Sequence, residues 1–307
     1  MIHVYYAVLY GFVLTAVLGL VASWVDRKVT ARVHYRVGPP FLQPVYDLGK
    51  LFGKETLVPS SGVPVVFVGA PIVGFASAAA AAAVLWGNIL QPEAGYAGDL
   101  IVLLYLLVIP SGCLIMGAFA SGNPYASLGA SREMKLVMSY ELPFVLALLT
   151  PVVQSGYTLE IGAIMAWQWE HGAIAVSLSG VLALVTALLC IHAKLGLVPF
   201  DIPEAETELS GGILIEYSGP CLALFRLMKH MLMASLPLLL IVLYLGGIQT
   251  SVTGFLWAAI KFVVLLALIV VIRNTNPRLR TDQALRFLWG PVTGVAVAAL
   301  ILAAFGL

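Results

Sequence analysis

Within VPFDIPEAETELSGGILIEYSGP, five acids, Asp201, Glu204, Glu206, Glu208 and Glu216, fall inside 16 residues. A sixth, Glu141, stands in SYELP inside an otherwise apolar run. Carboxylates crowded together beside apolar sequence suit proton exchange, because like-charge repulsion and partial burial both raise carboxyl pKa values. A helix starting near Ile202 would put Asp201 at its N-cap, Pro203 in its first turn, and Glu204 with Glu208 on one face at i, i+4. The plainer account is that acids favour a helix N-terminus, by about 0.3 to 1 kcal/mol each. That account covers the first acids of the stretch and leaves the others to be explained.

Glu141 has a local device of its own. Pro143 follows it and cannot donate to the carbonyl of Ser139, so a polar backbone group is left beside the carboxylate. Either Glu141 relays protons there, or it is a static partner of Lys135 or of a cation on a neighbouring helix. Arg226, Lys229 and Lys261 are further charges in apolar sequence, and His192 can titrate near neutral pH. These groups either form a polar axis or neutralise buried acids.

The elements that must position these groups follow from composition. Of 307 residues, 61% are hydrophobic and 10% charged, with a mean hydropathy of +1.01. Soluble domains carry about 25% charged residues, so the pattern predicts an all-α, polytopic membrane protein forming a single transmembrane domain over 1–307. A net charge of +1 lacks the basic excess of a nucleic-acid-binding chain. A bilayer core needs roughly 20 apolar residues per helix. Eight segments meet that length, at about 4–25, 64–86, 99–120, 134–153, 172–193, 216–245, 252–272 and 287–306. The first precedes a basic loop with no small-residue cleavage pattern, so it is expected to be a retained span.

Lysine and arginine sort between alternating loops. Arg27, Lys28, Arg32, Arg36, Lys50 and Lys54 follow the first span, Arg132 the third, Lys194 the fifth, and Arg273, Arg278, Arg280 and Arg286 the seventh. The segments 87–98, 154–171 and 246–251 contain none. The positive-inside rule then predicts both termini outward, in an inner (cytoplasmic) membrane. Residues 41–55 place Phe41, Leu42, Val45, Leu48, Leu51 and Phe52 on one side, which predicts a short interfacial amphipathic helix. No internal repeat is visible. Cys113, Cys190 and Cys221 lie far apart in apolar runs, without the ligand spacing of a zinc site or iron-sulfur cluster.

Four stretches together resemble one family. They are DRKVTARVHYRVGPPFLQPVYDLGKLFGKE from Asp26, GNPYASLGASREMKLVMSYELP from Gly122, PFDIPEAETELSGGILIEYSGP from Pro199 and RNTNPRLRTDQALRFLW from Arg273. The family is the membrane subunit that joins the peripheral and membrane arms of respiratory complex I, the H subunit of NADH-quinone oxidoreductase. Its relatives occur in energy-converting nickel-iron hydrogenases and formate hydrogenlyase. GASRE, at Gly129 to Glu133, is similar to the hydrogenase branch, whereas SYE, at Ser139 to Glu141, is similar to complex I. Gly38 to Leu42 lead directly to Gln43 and Pro44, without the longer glycine-proline segment of the respiratory members. The arginine usual before PFD is also absent, which favours a hydrogenase-type or ferredoxin-linked complex over a quinone-reducing one.

The resemblance implies a role for each matching residue. Glu141, Asp201, Glu204, Glu206, Glu208 and Glu216 match the carboxylates that couple redox change to ion translocation. Apart from the resemblance, and from their own place in or beside apolar sequence, Lys135, His192, Arg226, Lys229 and Lys261 are expected to belong to an auxiliary polar axis. Arg27, Lys28, Arg32, Arg36, Gln43, Asp47, Arg278, Arg280 and Asp282 match the face that meets peripheral subunits and, in complex I, lines the quinone chamber. The resemblance implies no cofactor in this chain, with iron-sulfur clusters and a nickel-iron centre in partner subunits. The implied partners are an iron-sulfur peripheral subunit, a hydrogenase-like large subunit and antiporter-like membrane subunits. The rivals are a quinone reductase and a freestanding ion-coupled transporter.

Overall fold

The computed structural model describes residues 7–95, 98–204 and 206–306, which contain helices and turns and no strand. Seven helices are long and apolar enough to cross a membrane: α1 (Leu9–Val33), α3 (Pro64–Leu90), α4 (Asp99–Ala120), α5 (Pro124–Gln154), α8 (Gly219–Tyr244), α9 (Val252–Thr275) and α10 (Thr281–Ala304). An eighth apolar helix, α7 (Leu178–Lys194), has 17 residues, the lower end of what a bilayer core requires. Two shorter helices, α2 (Gln43–Phe52) and α6 (Ile161–His171), lie in connections. The chain is thus an all-helical, polytopic membrane protein.

Several boundaries differ from the expected ones. Residues 4–6 of the first span lie outside the described residues. Helix α5 starts at Pro124, not near 134, because Pro124 fits the first helical position and the Asn123 side chain accepts from the Tyr125 N–H. Arg132 and Glu133 therefore sit on a helix and not in a loop. Helix α7 begins at Leu178, not 172, where the Ser177 hydroxyl accepts from the Gly180 N–H. Helix α8 begins at Gly219, not 216. Gly219 has φ +57°, and a Cβ there would meet the Glu55 carbonyl oxygen at 2.5 Å, so the chain turns against the first loop before the helix can start. The segment 154–171, expected to be a loop, contains α6.

Helix α8 lies at the centre and is almost entirely buried, whereas α9 and α10 are mostly exposed and stand at the perimeter. It packs against α1, α3 and α9, and α5 packs against α4, α7 and α10. The amphipathic helix α2 turns Leu48 and Leu51 onto Ala223, Leu227 and Met231 of α8, while Val45 and Phe52 stay exposed. Its inner side is therefore held by protein, at the end of the bundle that carries the arginines and lysines.

Prolines free carbonyls inside these helices, and tyrosines satisfy two of them. Pro71 removes the donor that would bond Phe67, and the Tyr217 hydroxyl donates to the Phe67 carbonyl at 3.0 Å. Pro151 does the same to Ala147, where the Tyr244 hydroxyl donates at 2.7 Å. Gly117 makes room for the first of these, since a Cβ there would stand 2.2 Å from the Tyr217 hydroxyl oxygen. Tyr244→Phe leaves a fully buried carbonyl without a donor. We expect a loss of about 1–3 kcal/mol, read as a lowered thermal midpoint of the purified protein.

Candidate functional site

The acids and bases gather at the basic end of the bundle and continue into it. Asp26, late in α1, is 4% exposed and pairs with Arg273 near the end of α9. Asp201 pairs with Arg278 at 2.9 Å. Glu204 pairs with Lys229 of α8. These three pairs, with His230, surround a cavity of about 350 Å³. The connection between α7 and α8 closes one side of it, and Leu279 N–H donates to the Pro199 carbonyl at 3.0 Å, tying that connection to the segment after α9.

A second void, of about 20 Å³, adjoins the first and shares Leu195, Gly196, Glu204 and Lys229 with it. Its other walls include Glu133 of α5 and Lys194, the last residue of α7. Lys194 is 1% exposed at its side chain, pairs with Glu141, and lies 5.1 Å from the ring centroids of both Tyr140 and Phe144. The ammonium is thus held by one carboxylate and two aromatic faces. Charged groups follow one another from the cavity mouth, through Glu204 and Lys229, past Glu133 and Lys194, to Glu141 inside the bundle.

The structure redistributes the expected acidic cluster. Glu204 and Glu208 do not share a helical face, because the stretch forms a 3-10 turn at Ile202–Glu204 and a short helix at Glu206–Leu209. Cations on different helices pull the two carboxylates apart: Glu204 goes to Lys229, and Glu208 goes outward to Arg132 at 2.5 Å. Glu216 accepts from the Asn123 side chain at the start of α5. The Glu206 side chain lies outside what the structure describes. Gly212 allows the fold-back: its φ is +56°, and a Cβ would stand 2.0 Å from the Pro203 carbonyl oxygen. Gly212→Val is expected to detach this connection from α5, and faster limited proteolysis between Pro199 and Gly219 would report it.

Other expected members of the axis are placed elsewhere. Lys135 is exposed and is not the partner of Glu141. Arg226 is exposed on the α2 side of α8. Lys261 donates to the carbonyls of Leu245 and Gly247 at the opposite end of the bundle, where it caps α8. His192 is buried beside the cavity wall, its Nε2 2.5 Å from the Val198 carbonyl oxygen and its Nδ1 without a partner among the described residues.

On the outer face of this end, Arg27 pairs with Asp47 at 2.8 Å, and Gln43 donates to the other Asp47 oxygen at 2.8 Å. Burial pushes the Asp47 pKa up, but the bonds from Arg27 and Gln43 and the charges of Arg27 and Arg226 bring it below the usual carboxylate range. The contact is therefore complete at neutral pH and weakens only as the pH falls through that lowered value. Asp201 behaves oppositely. Burial raises its pKa and Arg278 offsets this only in part, so it takes a proton at a higher pH than a free aspartate. Lys28 donates to the Pro39 carbonyl at 3.4 Å. Arg32, Arg36, Arg280 and Asp282 are exposed and face outward.

Glu133, Lys194, Asp26 and Arg273 were not among the expected carriers of the route. Glu133 is 8% exposed. In sequence its signal was a carboxylate seven residues before Tyr140 on one helix, legible only once α5 is known to start at Pro124. Among the described residues, no group of three or more His, Cys, Asp or Glu side chains is placed to hold a metal ion.

A profile of the NADH dehydrogenase family matches residues 5–304. The H subunit of NADH-quinone oxidoreductase from Thermomicrobium roseum is 39% identical over 92% of this chain and 90% of its own length. The protein of the same name from Anoxybacillus flavithermus is 33% identical over 99% and 94%. Among solved structures, a chain of the membrane-bound sulfane sulfur reductase, an archaeal respiratory membrane complex, superposes with a TM-score of 0.88 at 26% identity. That match covers 99% of this chain and 100% of the other.

Proposed function

The chain belongs to the NADH dehydrogenase family typified by the H subunit of NADH-quinone oxidoreductase, and from that membership we propose that it couples electron transfer in an attached peripheral arm to proton or sodium translocation. The observation that carries the reading is the succession of paired charges from the cavity to Glu141. Ionisable groups inside membrane helices are costly, about 2.5–3.5 kcal/mol each on insertion scales, and their usual use is an ion path. The basic end faces the cytoplasm and both termini face outward. Arg27, Lys28, Arg32, Arg36, Gln43, Asp47, Arg278, Arg280 and Asp282 form the docking face for the peripheral arm.

Electrons travel through iron-sulfur clusters of partner subunits. A change of charge or position at the docking face reaches the cavity through the connection between α7 and α8. Asp201 and Glu204 exchange protons with cavity water, and the charge passes by way of Lys229 toward Lys194 and Glu141. Antiporter-like membrane partners accept it from there.

The complex is of the hydrogenase or related membrane-bound reductase type, with a hydrogenase-like large subunit. Full coverage of the sulfane sulfur reductase chain supports this branch. The second reading, a quinone-site subunit, is favoured by the quinone in the names of the sequence relatives. A photoreactive quinone separates the two. We expect no specific labelling of this chain in the purified complex, and competed labelling of residues around the 350 Å³ cavity would establish the second reading.

The coupling itself is tested with the whole complex in inverted membrane vesicles, using reduced methyl viologen as donor. An acridine dye reports protons and a sodium tracer reports sodium. Electron transfer is expected to drive uptake of one ion, and Glu204→Gln is expected to lower that uptake severalfold without stopping dye oxidation. Uptake at the wild-type rate in Glu204→Gln removes the cavity-side carboxylate from the path.

A further inference from the structure

The ion pairs along the route leave one buried carboxyl over. Glu133 is 8% exposed, and among the described residues it forms no ion pair within 4 Å although it borders a void with two lysines. Each of those lysines is engaged elsewhere, Lys229 with Glu204 and Lys194 with Glu141. An ionised carboxylate in such a place, with no cation of its own, is too costly to persist. In the arrangement seen, Glu133 is therefore the neutral acid and Glu141 the carboxylate.

We infer that Glu133 is a relay carboxyl and the alternate partner of Lys194, whose ammonium group moves between Glu141 and Glu133 as one proton moves the opposite way. The O–H bond on Glu133 breaks and an O–H bond on Glu141 forms. Lys194 keeps its proton throughout and follows the negative charge. The net charge of the three groups is the same before and after, so no uncompensated charge is buried at either end of the exchange.

Hydroxyl groups line the way. Ser111 of α4 faces the Glu133 carboxyl and stands 3.2 Å from the Tyr140 hydroxyl. Tyr140 directly precedes Glu141, and its ring lies against the Lys194 ammonium. On the cavity side, Glu204 and Lys229 border the same void as Glu133, so cavity water is the source that reloads it. This exchange rests on the coupling reading above and adds to it a specific acid and a specific moving cation.

Two measurements test it on the whole complex. Dicyclohexylcarbodiimide, a hydrophobic carbodiimide, reacts with protonated carboxyls in membranes, and mass spectrometry locates the adduct. In the oxidised complex the adduct is expected on Glu133, and after reduction with methyl viologen it is expected to shift toward Glu141. Adduct on Glu141 alone in the oxidised complex, or on neither residue in both states, overturns the exchange. In vesicles, Glu133→Gln is expected to lose about tenfold in ion uptake, equivalent to about 1.4 kcal/mol, while dye oxidation continues. Glu133→Asp is expected to recover part of the uptake. Wild-type uptake in Glu133→Gln with impaired uptake in Glu141→Gln overturns the exchange and leaves the coupling reading standing. Wild-type uptake in both overturns the coupling reading itself.

Discussion

Glu141→Gln is expected to reduce ion uptake by the complex at least about tenfold, while electron transfer from the artificial donor proceeds near the wild-type rate. Gln keeps the shape of Glu and an oxygen that can accept from Lys194, but it neither ionises nor carries a proton. The substitution therefore removes the terminal proton site of the chain seen here and little else. Lys194 would be left without its present counter-ion, yet two aromatic rings and the nearby Glu133 remain to stabilise it. Tenfold corresponds to about 1.4 kcal/mol, a small demand on a site where one charge in low dielectric shifts occupancy by more. Dye oxidation and ion uptake measured on the same vesicles separate the two effects. Loss of both in proportion would mean failed assembly, which subunit content checks directly. Full retention of uptake would exclude Glu141 as a translocation site.

Much of this architecture was legible in the sequence because lipid imposes simple rules. Spans must be long and apolar, and basic residues collect at one end, so the helices and their common basic end follow from hydropathy and the placement of arginine and lysine. Pairings are a different matter. Glu141 and Lys194 are 53 residues apart, and only the packing of α7 on α5 makes them neighbours. Lys135 was the cation nearest to Glu141 in sequence, but six residues along a helix do not share a face, and the turn of α5 leaves it exposed. The i, i+4 argument for Glu204 and Glu208 assumed one continuous helix, and the separate pulls of Lys229 and Arg132 on those two acids defeat it. Glu133 was hidden for a related reason. It fell just outside the span expected from 134 and was given no role, whereas a helix starting at Pro124 turns it inward while its two basic neighbours in sequence do not line the void.

The Lys194–Glu141 pair also sets the largest expected effect on stability. Lys194→Met leaves Glu141, 21% exposed at its side chain, without a cation, and it removes the only lysine that can turn to Glu133 from α7. Breaking a buried pair by deleting one partner costs about 3–5 kcal/mol, because the remaining charge keeps its desolvation penalty without the compensating attraction. Replacing both partners by neutral groups of similar volume removes the penalty with the attraction. Lys194→Met is thus expected to lower the thermal midpoint of the purified complex sharply, and Lys194→Met with Glu141→Gln to restore most of it. The difference between the double variant and the sum of the single ones measures the coupling. It is expected to be of the order of the pair itself, in contrast to Arg132→Ala with Glu208→Gln, where a 57% exposed glutamate and screening by water limit the coupling to about 1 kcal/mol or less. The double variant that removes Glu141 should not translocate ions normally, so stability restored without uptake would show that the pair serves the path and is not there to hold the helices together. A double variant as unstable as Lys194→Met alone would instead mean that Lys194 is held mainly by Tyr140, Phe144 and Glu133.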